Sequence, residues 1–114
     1  MDRKQIELVV NTYLNDLSKK IKINKVILFG SALSGQIKKD SDLDLLIISS
    51  SFAKMDVGKR FDLLYTSRIN PLTRQTAMDI FGLTPNEYQN ASDLSVVGEI
   101  KEKGKTMEKS LKNF

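Results

Sequence analysis

Two short motifs carry residue types and a spacing that could do chemistry: Gly30-Ser31 and, after ten intervening residues, Asp42-Leu43-Asp44. A glycine lets backbone N–H groups approach a phosphate closely, and a serine beside it adds a short donor. Two carboxylates at alternate positions of a strand project from one side, about 6.5–7 Å apart along it. Oxygen ligands of that kind suit a hard divalent cation such as Mg²⁺. The two motifs together predict a place where a metal-bound triphosphate is held.

A site for two metal ions usually wants a third carboxylate. Asp56, Asp62, Asp79 and Asp93 are the acids to weigh. Asp56, Asp62 and Asp93 fall on helices or helix starts, where acids are commonplace. Asp79 instead interrupts the apolar run Ala77-Met78-Asp79-Ile80-Phe81, and a charge within a buried strand needs a partner or a metal. Each motif also has an ordinary reading. Gly-Ser pairs are common, Ser41 or Asp42 could close an Asx-type turn, and Asp79 could be paired with a buried Lys or Arg. The order in which the motifs occur favours the chemical reading.

The elements that must position these residues follow from apolar periodicity. Ile6, Val9, Val10, Tyr13, Leu14, Leu17 and Ile21 recur at helical spacing and predict an amphipathic helix over 2–20. Val26 to Phe29 reads as a strand ending at Gly30, and residues 31–41 as a short polar return. Leu45 to Ile48 is apolar without alternation, as expected of a strand buried on both faces. Val57, Phe61, Leu64, Tyr65 and Arg68/Ile69 set a second helix over 56–69, ended by Asn70-Pro71. A third strand is expected over 76–82. Thr84-Pro85-Asn86-Glu87 has the form of a capping box with proline at the first helical position. A last helix over 92–103 buries Leu94, Val97 and Ile100 and stops near Gly104. The fold class expected is α/β (α+β), a small mixed β-sheet with helices packed on it, forming one domain over 1–114. An antiparallel return through 31–41 would bring Gly-Ser and Asp-x-Asp to one pocket.

Composition narrows the chemistry further. The 114 residues include no Cys and no His, which excludes disulfides, thiolate nucleophiles, cysteine zinc sites and Ser–His–Asp triads. Catalysis has to run on carboxylates, hydroxyls, amines and backbone groups. No apolar run approaches the roughly 20 residues of a membrane span, and the Met-Asp-Arg-Lys-Gln start lacks a secretory pattern. A cytoplasmic protein with no membrane association is expected. The net charge of +4 gathers around Lys19, Lys20, Lys22 and Lys25, and around Lys101, Lys103, Lys105, Lys109 and Lys112. Solvated helix faces account for this more simply than a polyanion partner. Neither cluster is interleaved with aromatics, so nucleic acid is not an expected partner.

On these residues the chain resembles the minimal nucleotidyltransferases, small members of the DNA polymerase beta nucleotidyltransferase superfamily. Their pattern is Gly-Ser, a spacer of about ten residues, Asp-x-Asp and a later strand Asp, matched here by Gly30-Ser31, Asp42-Leu43-Asp44 and Asp79. The resemblance implies the nucleotidyltransferase fold and a catalytic, metal-binding set of Asp42, Asp44 and Asp79. It also implies nucleotide binding by Gly30, Ser31 and Ser41, and two Mg²⁺ ions with ATP or another nucleoside triphosphate. Asp79 would help activate the attacking hydroxyl. One departure stands out: many relatives read Gly-Ser-x-Ala-Arg-Gly, whereas Gly30-Ser-Ala-Leu-Ser34-Gly35 has serine in the arginine position. Lys38 or Lys39 are candidate substitutes for that cation.

The activity so implied is transfer of a nucleoside monophosphate, AMP from ATP, to an acceptor hydroxyl. Relatives this short usually work beside a helical HEPN-type protein, as antitoxin to its toxin, and some attach AMP to a tyrosine of the partner. The alternative from a different class is a non-catalytic module that neutralises a helical partner by contact.

Overall fold

Asp2 opens the first helix by a reciprocal cap: its carboxylate accepts from the Gln5 N–H, and the Gln5 side chain accepts from the Asp2 N–H. The structure is a computed structural model, and it describes residues 2–30, 42–91 and 96–106. Helix α1 runs Arg3–Leu17 and buries Ile6, Val9, Val10, Tyr13, Leu14 and Leu17, the face the spacing predicts. Each such burial contributes about 1.5–3 kcal/mol before entropy is counted.

Strand β1 (Lys25–Phe29) pairs antiparallel with β2 (Leu43–Ile48), and β2 pairs parallel with β3 (Met78–Leu83). A two-residue β4 (Lys105–Thr106) closes the other edge on β1, giving the order β3-β2-β1-β4. The central place expected for β2 is observed, and five of its six residues are buried. The sheet's two faces differ. Val26, Leu28, Leu43, Leu45, Ile47 and Ile80 join the α1 side chains in the main core. The opposite face carries Ile27, Leu46, Ile48 and, at one end, Asp44 and Asp79; its smaller cluster is closed by Ile100.

Helix α2 (Val57–Thr66) starts at the Asp56 cap, and α3 (Pro71–Gln75) starts at Asn70, whose side chain accepts from the Leu72 N–H. Pro71 therefore begins a new helix as well as ending the connection from α2, because its missing N–H costs nothing in the first turn. Helix α4 (Pro85–Asn90) has the full capping box of Thr84 and Glu87 that the sequence predicts. Helix α5 is described over Val96–Lys103 and ends where the Gly104 N–H bonds the Ile100 carbonyl at 2.7 Å. Leu94 and Asp93 lie outside the described residues.

The second helix is shorter than expected, ending at Thr66 and not at 69. Its apolar stripe does not all face the core: Leu64 is buried, but Val57 and Phe61 are 77% and 52% exposed. Periodicity shows that a helix has an apolar face; it does not show what covers that face.

Candidate active site

The register of three neighbouring strands builds the site. Phe29 of β1 lies opposite Asp44 of β2, and Asp44 lies opposite Asp79 of β3. Gly30 follows Phe29 directly. The antiparallel return thus sets the end of β1 beside the start of β2, and parallel pairing adds the third acid at the same level. Both Asp44 and Asp79 are half-buried, while Asp42, just before β2, is exposed. Ser31 and Ser41 lie outside the described residues, as do Ser34, Lys38 and Lys39.

Gly30 has φ +73°, the left-handed region that favours glycine. A Cβ placed on it would lie 2.1 Å from Oδ2 of Asp44 and 3.1 Å from its Cγ. The carboxylate of Asp44 therefore occupies the space that any other residue at position 30 would fill. Glycine is needed there twice over, for the backbone angle and for the acid beside it.

Electrostatics at Asp44 are unfavourable to its charge. Burial pushes its carboxyl above the usual value of 3.8, and the negative charges of Asp79 and then Asp42 push it further in the same direction. Among the described residues no Lys or Arg forms an ion pair with any of the three. The structural alternative for Asp79, pairing with a buried Lys or Arg, is therefore not what the described residues show. Mutually repelling carboxylates without a described counter-ion are the donor chemistry that a hard divalent cation fits. The three side chains are not, however, gathered into a cage. Among the described residues no three His, Cys, Asp or Glu groups stand close enough together to hold one ion. Asp44 and Asp79 are adjacent in register, and Asp42 lies two residues before Asp44, just ahead of β2.

A residue that sequence reasoning counted only as part of a helix stripe holds the strand under Asp79. Tyr65 Oη accepts the Ile80 N–H at 3.0 Å and donates to the Met78 carbonyl at 3.4 Å, so it clamps the backbone on both sides of Asp79. The only hint in the sequence is a tyrosine where a purely apolar residue would do. Arg68 holds the approach to the same strand by donating to the carbonyls of Thr73, Arg74 and Thr76.

Asp44 and Asp79 line a cavity of about 620 Å³ whose wall also includes Leu46, Phe81, Val57 and Phe61, with Val97 and Ile100 of α5. Arg60 also lines it, and donates to Glu87 at 2.7 Å and to the carbonyls of Phe52, Met55 and Gly82. The Thr84 backbone N–H and the Arg60 guanidinium hold the Glu87 carboxyl below its usual range.

The sequence pattern of the nucleotidyltransferase domain family matches residues 10–112, and the chain belongs to that family. A crystal structure of a Sulfolobus solfataricus protein, provisionally assigned as a nucleotidyltransferase, superposes with a TM-score of 0.59. That likeness covers 77% of this chain and 75% of the other, at 19% identity, and shows a shared fold. No curated protein matches the chain by sequence. The protein is a nucleotidyltransferase by family. Among the described residues no helix is long and apolar enough to cross a membrane.

Proposed function

We propose that this nucleotidyltransferase moves a nucleoside monophosphate, AMP from ATP, onto a hydroxyl of a partner protein, with Mg²⁺ held by Asp42, Asp44 and Asp79. The observation that carries the reading is the register: Asp44 sits directly beside Asp79, with the left-handed Gly30 bend against the Asp44 carboxylate. Divalent ions, when bound, neutralise charge on the triphosphate and on the leaving pyrophosphate. Phosphoryl chemistry of this type asks the protein mainly for positioning and charge compensation. Gly30 offers backbone at the bend for the β- and γ-phosphates, with the Ser31 hydroxyl next to it in sequence and Ser41 next to Asp42. Asp79 stands one strand further on, where a carboxylate can accept the proton of the attacking hydroxyl.

Replacing Asp44 with Asn removes one charge while keeping the shape, so pyrophosphate release from ATP and Mg²⁺ should fall to background in a folded variant. Undiminished release would refute the site. The antitoxin role beside a HEPN-type helical partner rests on the family resemblance. It is tested by incubating the chain with such a protein, ATP and Mg²⁺ and weighing the partner. A gain of one AMP on a hydroxyl side chain supports the role, and an unmodified partner opposes it.

A further inference from the structure

We infer that Tyr13, buried in α1, is a positioning residue for Asp79, acting through the last turn of α2. The inference rests on the transfer reading above and adds to it a residue from the main core.

The argument starts from a hydroxyl in an apolar place. Tyr13 is fully buried, in the same core cluster as Val9, Val10, Leu14 and Leu17. A phenylalanine would fill that space without bringing in a polar atom, and a buried hydroxyl is costly unless it is hydrogen-bonded. Its partner is specific. Tyr13 Oη donates to the Leu64 carbonyl at 2.7 Å, across 51 positions of sequence. Burial, and then the neighbouring Tyr65 phenol, push the Tyr13 hydroxyl well above its ordinary pKa, so it stays a donor at neutral pH.

Leu64 lies in the last turn of α2, where helix carbonyls lack an intrahelical donor. The Ser67 N–H bonds the Leu63 carbonyl, and the Arg68 N–H bonds the Tyr65 carbonyl. Tyr13 takes the carbonyl between them. A side chain of α1 thus pins the turn of α2 that carries Tyr65.

From that turn two groups reach β3. The Leu64 side chain lies against Gly82, where an added Cβ would meet Leu64 Cδ1 at 3.2 Å. Tyr65 Oη accepts the Ile80 N–H and donates to the Met78 carbonyl. Those two backbone groups flank Asp79, and β3 stands at the end of the sheet order with β2 as its strand neighbour. Its other side has to be held by side chains, and Tyr65 holds it at the level of the acid. Gly30 and Asp44 depend instead on the pairing of β1 with β2. Releasing the last turn of α2 therefore loosens Asp79 and leaves the nucleotide side of the site in place. In the transfer reading Asp79 takes the proton of the attacking hydroxyl, so the loss falls on kcat and not on the KM for ATP.

Tyr13→Phe removes the hydroxyl and keeps the ring. Amide hydrogen exchange, followed by NMR without nucleotide, reads the restraint itself. The Ile80 amide should exchange at least tenfold faster in the variant relative to the protected amides of β1 and β2, whereas a loss of global stability alone speeds all of them together. In pyrophosphate release from ATP and Mg²⁺, folded Tyr13→Phe should lose at least fivefold in kcat with the KM for ATP within twofold. Tyr13→Phe/Tyr65→Phe should fall no more than twofold below Tyr65→Phe alone, because the two hydroxyls act in series. Val9→Ala, which opens a cavity on the same helix face, should speed exchange uniformly and keep kcat within twofold. Uniform exchange in Tyr13→Phe, losses of kcat that multiply in the double variant, or an equal loss in Val9→Ala overturns the positioning role. If the wild-type protein releases no pyrophosphate, the transfer reading falls and the role of Tyr13 in turnover with it; selective exchange at Ile80 still supports the restraint on the strand.

Discussion

Gly30→Ala tests whether the site is built as the geometry says, because it introduces one methyl group with two separable costs. The first is conformational. At φ +73° an L-residue with a Cβ is disfavoured by about 1–2 kcal/mol. The second is steric and depends on one neighbour. The new Cβ would lie 2.1 Å from Oδ2 and 3.1 Å from Cγ of Asp44, but 3.5 Å from its Cβ, an ordinary contact. The carboxylate must swing away, and leaving its preferred rotamer costs about 0.5–1.5 kcal/mol. The expected total is about 2–3 kcal/mol. For a chain of this size that lowers Tm by about 4 °C for each kcal/mol.

A double-mutant cycle with Asp44→Ala separates the two costs. The charge effects of losing Asp44 appear in that single variant and cancel in the cycle. With no carboxylate to collide with, Gly30→Ala should cost only the conformational 1–2 kcal/mol, leaving a coupling of about 1 kcal/mol. Urea unfolding without nucleotide or divalent cation reads all four states. A coupling below about 0.3 kcal/mol, the usual scatter of independent sites, would show that Gly30 and Asp44 do not touch. The site reasoning would fall with it. In the folded Gly30→Ala protein, pyrophosphate release should drop by about 10²-fold, as expected when a reacting group is displaced by about 1 Å.

Asp44→Asn should stabilise the protein at pH 7. The native Asp44 carboxyl is pushed above 3.8, so between that value and the raised one the native state binds more protons than the unfolded chain. Stability therefore falls as pH rises through this window. The advantage of Asn, absent below 3.8, should open across the window and persist above it. Solvent screening at this half-exposed site holds it to about 1 kcal/mol or less; Tm against pH for both proteins reads it. Mg²⁺ should raise the Tm of the wild-type protein by the equivalent of about 2.7 kcal/mol at a hundredfold excess over Kd, and have little effect on Asp44→Asn. Indifference of the wild-type protein would favour a contact-only module. Tyr65→Phe removes both bonds to the backbone around Asp79. It should cost about 1–2 kcal/mol in urea unfolding and lower transfer in fully folded protein; unchanged turnover would show that the clamp does not position Asp79. Gly82→Ala would place a Cβ 2.7 Å from the Phe52 ring and should cost about 1–3 kcal/mol, read as a lower urea midpoint.

What the sequence revealed depended on whether one residue or many decided the matter. Asp79 was legible because a single charge inside Ala77-Met-Asp-Ile-Phe81 conflicts with its surroundings, and such conflicts tend to mark sites. Strand β2 was legible because four consecutive apolar residues, Leu45 to Ile48, have no polar face to offer solvent. Helix α3 was missed because five residues cannot display a helical period, so Asn70-Pro71 read as an ending. Strand β4 has two residues and no pattern of its own; its place comes from pairing with Ile27 and Leu28. Val57 and Phe61 were legible as one helix face but not as cavity wall, since the missing information was the position of β3 relative to α2. That Asp44 and Asp79 share a register level was likewise hidden, because it belongs to strand order and not to either strand.

The same reasoning explains how so short a chain can position several groups. Gly30, Asp44 and Asp79 come one from the end of each of β1, β2 and β3, so neighbouring strands about 4.8 Å apart fix their spacing. No long loop has to hold any of them. The strands are anchored from the other side of the sheet, where α1 packs on Leu28, Leu45 and Ile80, and at the free edge, where Tyr65 and Arg60 bond the β3 backbone. Stability is thus concentrated on one face and chemistry on the other. The chemical face can leave Phe61, Phe81 and Val57 open to water without loss of the core.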